Sequence, residues 1–214
     1  RLVDAQALGS RPGRRDRHRR GDADEAGMRV KLCGFTRAQD VRDALAAGAD
    51  MINDINALRA PGALELLTKS NAGICLMHMQ GAPQNMQQNP QYTQVVGDVA
   101  DFLAARVAAA QHAGIALDRL CIDPGFCFGK TPEHNLQLLG HLEMFSAIGL
   151  PVLVGLSRKS VLGALTGRAP GERVFASVAA NMLAMAQGAR ILRVHDVAAT
   201  RDAVAIFEAV ESVQ

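Results

Sequence analysis

The sequence predicts an α/β fold in which parallel strands alternate with helices and close into a (β/α) barrel. From residue 28 onward, short apolar runs alternate with longer amphipathic stretches. That order gives parallel strands joined by right-handed crossovers. Nearly every apolar run also ends in a hydrogen-bonding or ionisable residue. A barrel gathers such ends at one mouth, whereas an open sheet collects only those near its switch point. No G-x-G-x-x-G follows the first strong strand, which counts against a dinucleotide fold.

The candidate strands are 29–33, 51–55, 73–78, 119–123, 151–156 and 190–195. Helices are expected near 37–47, 61–69, 92–113, 132–147, 170–187 and 197–212. The stretch 92–113 sets Val95, Val99, Phe102, Leu103 and Val107 on one face at helical spacing. In "AAGAD", "HAGIA" and "AQGAR" a glycine closes a helix before the next strand. Residues 11–27, RPGRRDRHRRGDADEAG, contain no large apolar side chain and read as a mobile, solvated arm. The expected organisation is therefore an atypical segment over 1–27 and a barrel domain over 28–214.

Composition narrows the function classes. Hydrophobic residues make up 49% and charged residues 21% of the 214, a globular balance. A net charge of +2 gives no basis for nucleic-acid binding or attachment to an acidic membrane. No apolar run reaches spanning length. None of the cysteines Cys33, Cys75, Cys121 and Cys127 forms a C-x-x-C pair, so no zinc or redox motif is suggested and the expected metal ligands are none. A reducing cytoplasm suits them.

The strand ends carry the chemistry. Arg158, Lys159, Arg193 and His195 bring cationic groups to two neighbouring ends, a set suited to a phosphate or diphosphate leaving with growing negative charge. The bland alternative pairs Arg193 with Asp196 at the rim. Asp123, followed by Pro-Gly, is placed to accept two hydrogen bonds from a flat N–H-bearing ring, and Asn53 offers both a donor and an acceptor to it. As alternatives, Asn53 caps a turn and Asp123 caps a helix or pairs with a cation. Met77 and Met79 read first as core. Phe128, in a glycine-rich turn, reads as a pocket wall. His78 is either a base or a satisfied core histidine.

The runs "GADMINDINAL", "CLMHMQGAPQNMQ", "CIDPGFCFGKTPEHN", "PVLVGLSRKSVLG" and "ILRVHDV" resemble dihydropteroate synthase, in that family's order, from about residue 44 to the C-terminus. The resemblance implies a TIM-type (β/α)8 barrel, here N-terminally incomplete or altered. It implies condensation of 6-hydroxymethyl-7,8-dihydropterin diphosphate with 4-aminobenzoate, giving 7,8-dihydropteroate and diphosphate. By position, Asn53, Met77, Asp123, Phe128 and Lys159 are the expected pterin residues. Ser157, Arg158, Arg193 and His195 are expected at the diphosphate and aminobenzoate, with Lys159, Arg193 and His195 as the catalytic set. The resemblance also implies sulfonamide competition, a homodimer and magnesium.

The N-terminal part departs from the family pattern. The family's first strand, with the asparagine that meets magnesium, is not found. "LVDAQALGSRPG" resembles the second strand, with Asp4 and Arg11 matching and Ser10 in place of a threonine. Gly34 stands where a pterin-contacting aspartate belongs, and Cys127 replaces a glycine. Residues 29–49 resemble instead the opening of phosphoribosylanthranilate isomerase, with Cys33 matching its catalytic base. The alternatives that follow are a pterin-binding homologue or fragment with impaired catalysis, and an isomerase-like chimera.

Overall fold

A computed structural model describes residues 2–4, 29–33 and 38–213, with side chains from residue 39 on. Its strands are β1 (Leu2–Asp4), β2 (Arg29–Cys33), β3 (Met51–Asp54), β4 (Gly73–Met77), β5 (Leu120–Asp123), β6 (Val152–Val154) and β7 (Ala189–Leu192). They form one sheet in sequential order, every neighbouring pair parallel. The helices are α1 (Ala38–Ala46), α2 (Ala63–Thr68), α3 (Val95–His112), α4 (Pro132–Gly140), α5 (Ser160–Thr166), α6 (Val174–Ala186) and α7 (Val197–Glu211). The arm expected over 11–27, and Gly34, lie outside the described residues. β1 falls on the "LVD" likened to a second family strand.

The period of two along each strand divides the sheet's side chains between two environments. Ile52, Ile74, Leu76, Ile122, Val152 and Val154 join the core between sheet and helices. Cys75, Cys121 and Leu153, with Met51 and Ile191, form a separate cluster on the other face, the barrel interior. Two residues further along those same rows stand Asn53, Met77, Asp123, Gly155 and Arg193. Parallel register keeps each row level: Cys75 faces Cys121, Met77 faces Asp123, and Leu153 faces Ile191. The apolar layer thus forms the floor beneath a polar one. Within the floor, Cys75 is held as a thiol: a hydrogen bond to Cys121 and then burial raise its pKa well above the ordinary value.

The helices seal the outer face. On α3, Val95, Val99, Leu103, Val107 and Ala110 are buried, as the spacing predicts, while Phe102 is only partly buried and packs edge-on against His78 at 4.9 Å between ring centroids. The single helix expected over 132–147 breaks into α4 and a 3-10 segment, Leu142–Ile148. α4 starts at a capping box in which Thr131 and His134 satisfy each other's backbone N–H, with Pro132 in the first turn. The sequence reading assigned no element to Ser160–Thr166, where Gly163 lowers helix propensity by about 1 kcal/mol. The helix forms there because Gly163 has another purpose: a Cβ at that position would overlap the Arg173 guanidinium.

Candidate active site

The polar layer converges on Arg193. Its backbone N–H continues the ladder beyond β7 by donating to Val154 O at 2.9 Å. Its Nη1 donates to Asn53 Oδ1 at 2.8 Å, and Nη2 lies 3.4 Å from Asp123 Oδ2. Asn53 and Asp123 are fully buried. The guanidinium reaches them because Gly155, on the strand between, has no side chain; a Cβ there would overlap it. Sequence reading missed Gly155. Its signal was present: it falls two residues beyond Leu153, in the row where other strands carry a large or polar side chain. The alternative in which Arg193 pairs with Asp196 at the rim does not hold, since Asp196 is held by Arg158.

Asp123 is fixed from its own loop. Its Oδ1 accepts the Gly125 N–H at 2.8 Å, while its fully buried Oδ2 accepts no hydrogen bond among the described residues. A buried carboxylate oxygen that faces a guanidinium at 3.4 Å without a hydrogen bond is under-satisfied. An incoming N–H donor could complete it. Met77, 1% exposed, flanks Asp123 on β4.

Lys159 approaches from the β6–α5 turn. Its ammonium donates to Phe126 O at 2.9 Å and lies 4.2 Å above the centroid of the Phe128 ring, a cation–π contact. Burial lowers its pKa, the Arg193 charge adds to that, and Cys127 and Asp123 oppose it. The turn itself is strained. Arg158 sits at φ +58°, costing about 1–2 kcal/mol for a residue with a side chain. Ser177 Oγ accepts the Arg158 N–H, and Arg173 Nη1 donates to the carbonyls of both Arg158 and Lys159. Neither Ser177 nor Arg173 was expected. The Arg158 side chain turns outward to Asp196, which holds that carboxyl's pKa down. Ser157 Oγ meets the backbone N–H and Nδ1 of His195 at 3.2 and 3.0 Å, joining the two strand ends.

Asp54, also at a strand end, turns away from this layer. It accepts the N–H groups of Asn56 and Leu58, fixing a turn in which Ala57 and Leu58 have positive φ. His78 is no base in this structure. It is buried, and its Nδ1 lies 2.9 Å from the Lys130 ammonium. Burial first, then the charges of Lys130 and Arg59, push its pKa down to about 3. Cys127 adopts φ +63°, the left-handed backbone for which the glycine it replaces would be suited. A groove of about 620 Å³, lined by Leu58, Arg59, Glu65, Lys69 and Arg106 among others, includes none of the polar-layer residues.

Among the described residues no three His, Cys, Asp or Glu side chains converge as metal ligands.

Comparison with known proteins covers most of the chain. The pterin binding enzyme family matches residues 35–195. That match runs through residues 35–49 and assigns them to this family rather than to the isomerase they were likened to. Dihydropteroate synthase of Neisseria meningitidis serogroup C is 52% identical over 192 residues, covering 87% of this chain and 68% of that protein. The dihydropteroate synthase of Xanthomonas albilineans, solved in complex with 7,8-dihydropteroate, superposes with a TM-score of 0.81 at 47% identity, covering 87% of this chain and 70% of that one. The Yersinia pestis enzyme, solved as a sulfonamide drug complex, gives 0.84 at 44% identity, covering 87% and 68%. The chain therefore spans roughly two thirds of each.

Proposed function

Since this chain belongs to the pterin binding enzyme family, among the dihydropteroate synthases, we propose that it condenses 6-hydroxymethyl-7,8-dihydropterin diphosphate with 4-aminobenzoate to give 7,8-dihydropteroate and diphosphate. The observation that carries this reading is Arg193 standing between two fully buried groups, Asn53 and Asp123, over an apolar floor. Asn53, Asp123 and Lys159 hold the pterin, with Met77 and Phe128 as its walls. Arg193 and His195, supported by Ser157, receive the diphosphate, and Ser157 and Arg158 border the aminobenzoate.

The reaction is a substitution at the pterin methylene. The C–O bond breaks with its electron pair leaving on diphosphate, the aminobenzoate nitrogen forms the new C–N bond, and that nitrogen gives up a proton. Positive charge grows on the pterin as negative charge grows on the leaving group. Asp123 stabilises the first and the Arg193–Lys159 cations stabilise the second. These groups are already in place, so little reorganisation is needed at the moment of reaction. Sulfonamides compete at the aminobenzoate position.

The surroundings of the reaction belong to the same reading. Residues 28–214 act as the pterin-binding barrel and residues 1–27 as a segment apart. Phe175, Leu183, Ile206 and Val210, exposed on α6 and α7, support a homodimer. No helix among the described residues is long and apolar enough to cross a membrane, and the free thiols Cys75, Cys121 and Cys127 suit a cytoplasmic setting. Magnesium, if the reaction uses it, accompanies the diphosphate.

The test is release of diphosphate from pterin diphosphate plus 4-aminobenzoate by the purified chain. Lys159→Ala is expected to abolish binding of the pterin diphosphate; unchanged affinity would refute the site. A second reading, a pterin binder without turnover, is favoured by the strand order, in which β1 and β7 have no pairing to each other among the described residues. Micromolar pterin binding with no diphosphate release would select it.

A further inference from the structure

The loop from Pro124 to Lys130 carries residues the proposed site depends on, and four of its seven carbonyl groups accept hydrogen bonds from side chains. Phe126 O accepts from Lys159, and Gly129 O accepts from the Tyr92 hydroxyl at 2.7 Å. Gly125 O and Phe128 O accept from a single group, the Lys130 ammonium, at 3.0 and 3.1 Å. The third proton of that ammonium goes to His78 Nδ1 at 2.9 Å. His78 is therefore the acceptor, neutral, with its proton on Nε2. Its ring is fixed by Phe102 and Tyr92. Lys130 is 3% exposed, and among the described residues it forms no ion pair.

A buried ammonium whose hydrogen bonds all go to neutral acceptors is a costly way to fasten a loop, because no carboxylate pairs with it directly and Asp123 offsets its desolvation only from a distance. An apolar side chain of the same length would fill the space. What the ammonium alone provides is a three-way junction between β4 and both ends of the β5–α4 loop. One branch holds Gly125, whose N–H orients Asp123 Oδ1. Another holds Phe128, whose ring lies under Lys159. We infer that Lys130 and His78 are a positioning pair for pterin recognition, setting the Asp123 carboxylate and the Phe128 ring from behind without touching the substrate.

Electrostatics link the same groups, and the three-donor ammonium is the form that prevails below neutral pH. Burial lowers the Lys130 pKa to about 7, with Lys159 adding to this and Asp123 and Cys127 opposing it. Lys130 thus interacts with both proposed pterin residues, Asp123 and Lys159, as well as bonding the loop between them.

This inference rests on the pterin-binding reading above, and one experiment separates the two. Affinity for 6-hydroxymethylpterin is measured by calorimetry, beside thermal unfolding, for the parent chain and for Lys130→Met, His78→Asn and His78→Leu. Asparagine places its Oδ1 near the position of His78 Nδ1, so it keeps an acceptor for Lys130; leucine does not. Lys130→Met and His78→Leu are expected to weaken pterin binding tenfold or more while remaining folded. His78→Asn is expected to stay within threefold of the parent. That rescue distinguishes positioning from mere filling of the core, which leucine also accomplishes. If Lys130→Met fails to fold, the His78 pair decides alone. Equal affinity of His78→Leu and the parent overturns the inference and leaves the pterin reading intact. A parent chain that binds no pterin overturns both.

Discussion

Arg193 and Asn53 meet across the barrel interior, Nη1 to Oδ1 at 2.8 Å, although 140 residues of chain separate them. The same guanidinium faces the fully buried Asp123. These contacts make Arg193 a structural member of the polar layer as well as a proposed ligand for diphosphate. Removing it leaves a carboxylate buried without its cation.

Arg193→Met is therefore expected to destabilise the chain by about 3 kcal/mol, the lower end for breaking a buried ion pair. Adding Asp123→Asn to that background should recover part of the loss, because the charge left behind is then gone. Urea midpoints of the parent, both single variants and the double variant provide the cycle. Simple additivity of the two single losses would show that the pair is not coupled.

Gly155→Ala is expected to act through Arg193. The added methyl occupies space now held by the guanidinium, so the side chain must swing away from Asn53. Overpacking of this kind costs about 1–3 kcal/mol. The larger effect should appear in function, as a tenfold or greater fall in pterin affinity. A variant that binds the pterin like the parent would mean that Arg193 does not need this path.

Cys127 tests the cost of the left-handed backbone. At φ +63° a residue with a side chain is strained by about 1–2 kcal/mol, whereas glycine is not but loses about 0.5–1 kcal/mol more chain entropy on folding. Cys127→Gly should therefore leave stability within about 1 kcal/mol of the parent. Cys127→Val, branched at Cβ, should cost about 2 kcal/mol or more. Equal melting temperatures for the glycine and valine variants would show that the loop relaxes out of this conformation.

His78 sets an acid limit on stability. Its pKa in the folded chain, about 3, lies below the ordinary 6.5 or so. The unfolded chain binds the proton first as pH falls. The His78 contribution is therefore complete above about pH 6.5 and declines toward pH 3, losing about 2 kcal/mol between pH 7 and pH 5. Urea unfolding of the parent and of His78→Asn at both pH values isolates this contribution. Parallel losses in the two proteins would place the acid sensitivity elsewhere.

The fold was legible because its signal is repetitive. Strand runs such as MIND and LCID announce themselves through apolar residues ending at a polar group, and such polar ends singled out Asn53, Asp123, Lys159 and Arg193 as candidates. Partner choice was not legible. Nothing in the string RVHDV assigns Asp196 to Arg158 rather than to Arg193; that depends on Arg158 turning outward from a positive-φ backbone while Arg193 passes Gly155. Supporting residues were hidden for a similar reason. Ser177 and Arg173 lie on or before α6, one turn apart, and act on backbone groups of another element, a role that leaves no local pattern. Helix α5 was missed because its glycine reads as a breaker until the side chain it accommodates is known.

The span between Asn53 and Arg193 has a consequence for biosynthesis. Chains grow from the N-terminus at roughly 5–20 residues per second, so on the order of ten seconds passes between the emergence of these two residues from the ribosome. Throughout that interval the nascent polypeptide has already produced the asparagine and then the aspartate, while the guanidinium that joins them is still untranslated. Completion of the polar layer is thus a late event in the making of each new molecule, and a ribosome stalled before the Arg193 codon would release a product with most of its sheet but without the guanidinium that joins Asn53 to Asp123.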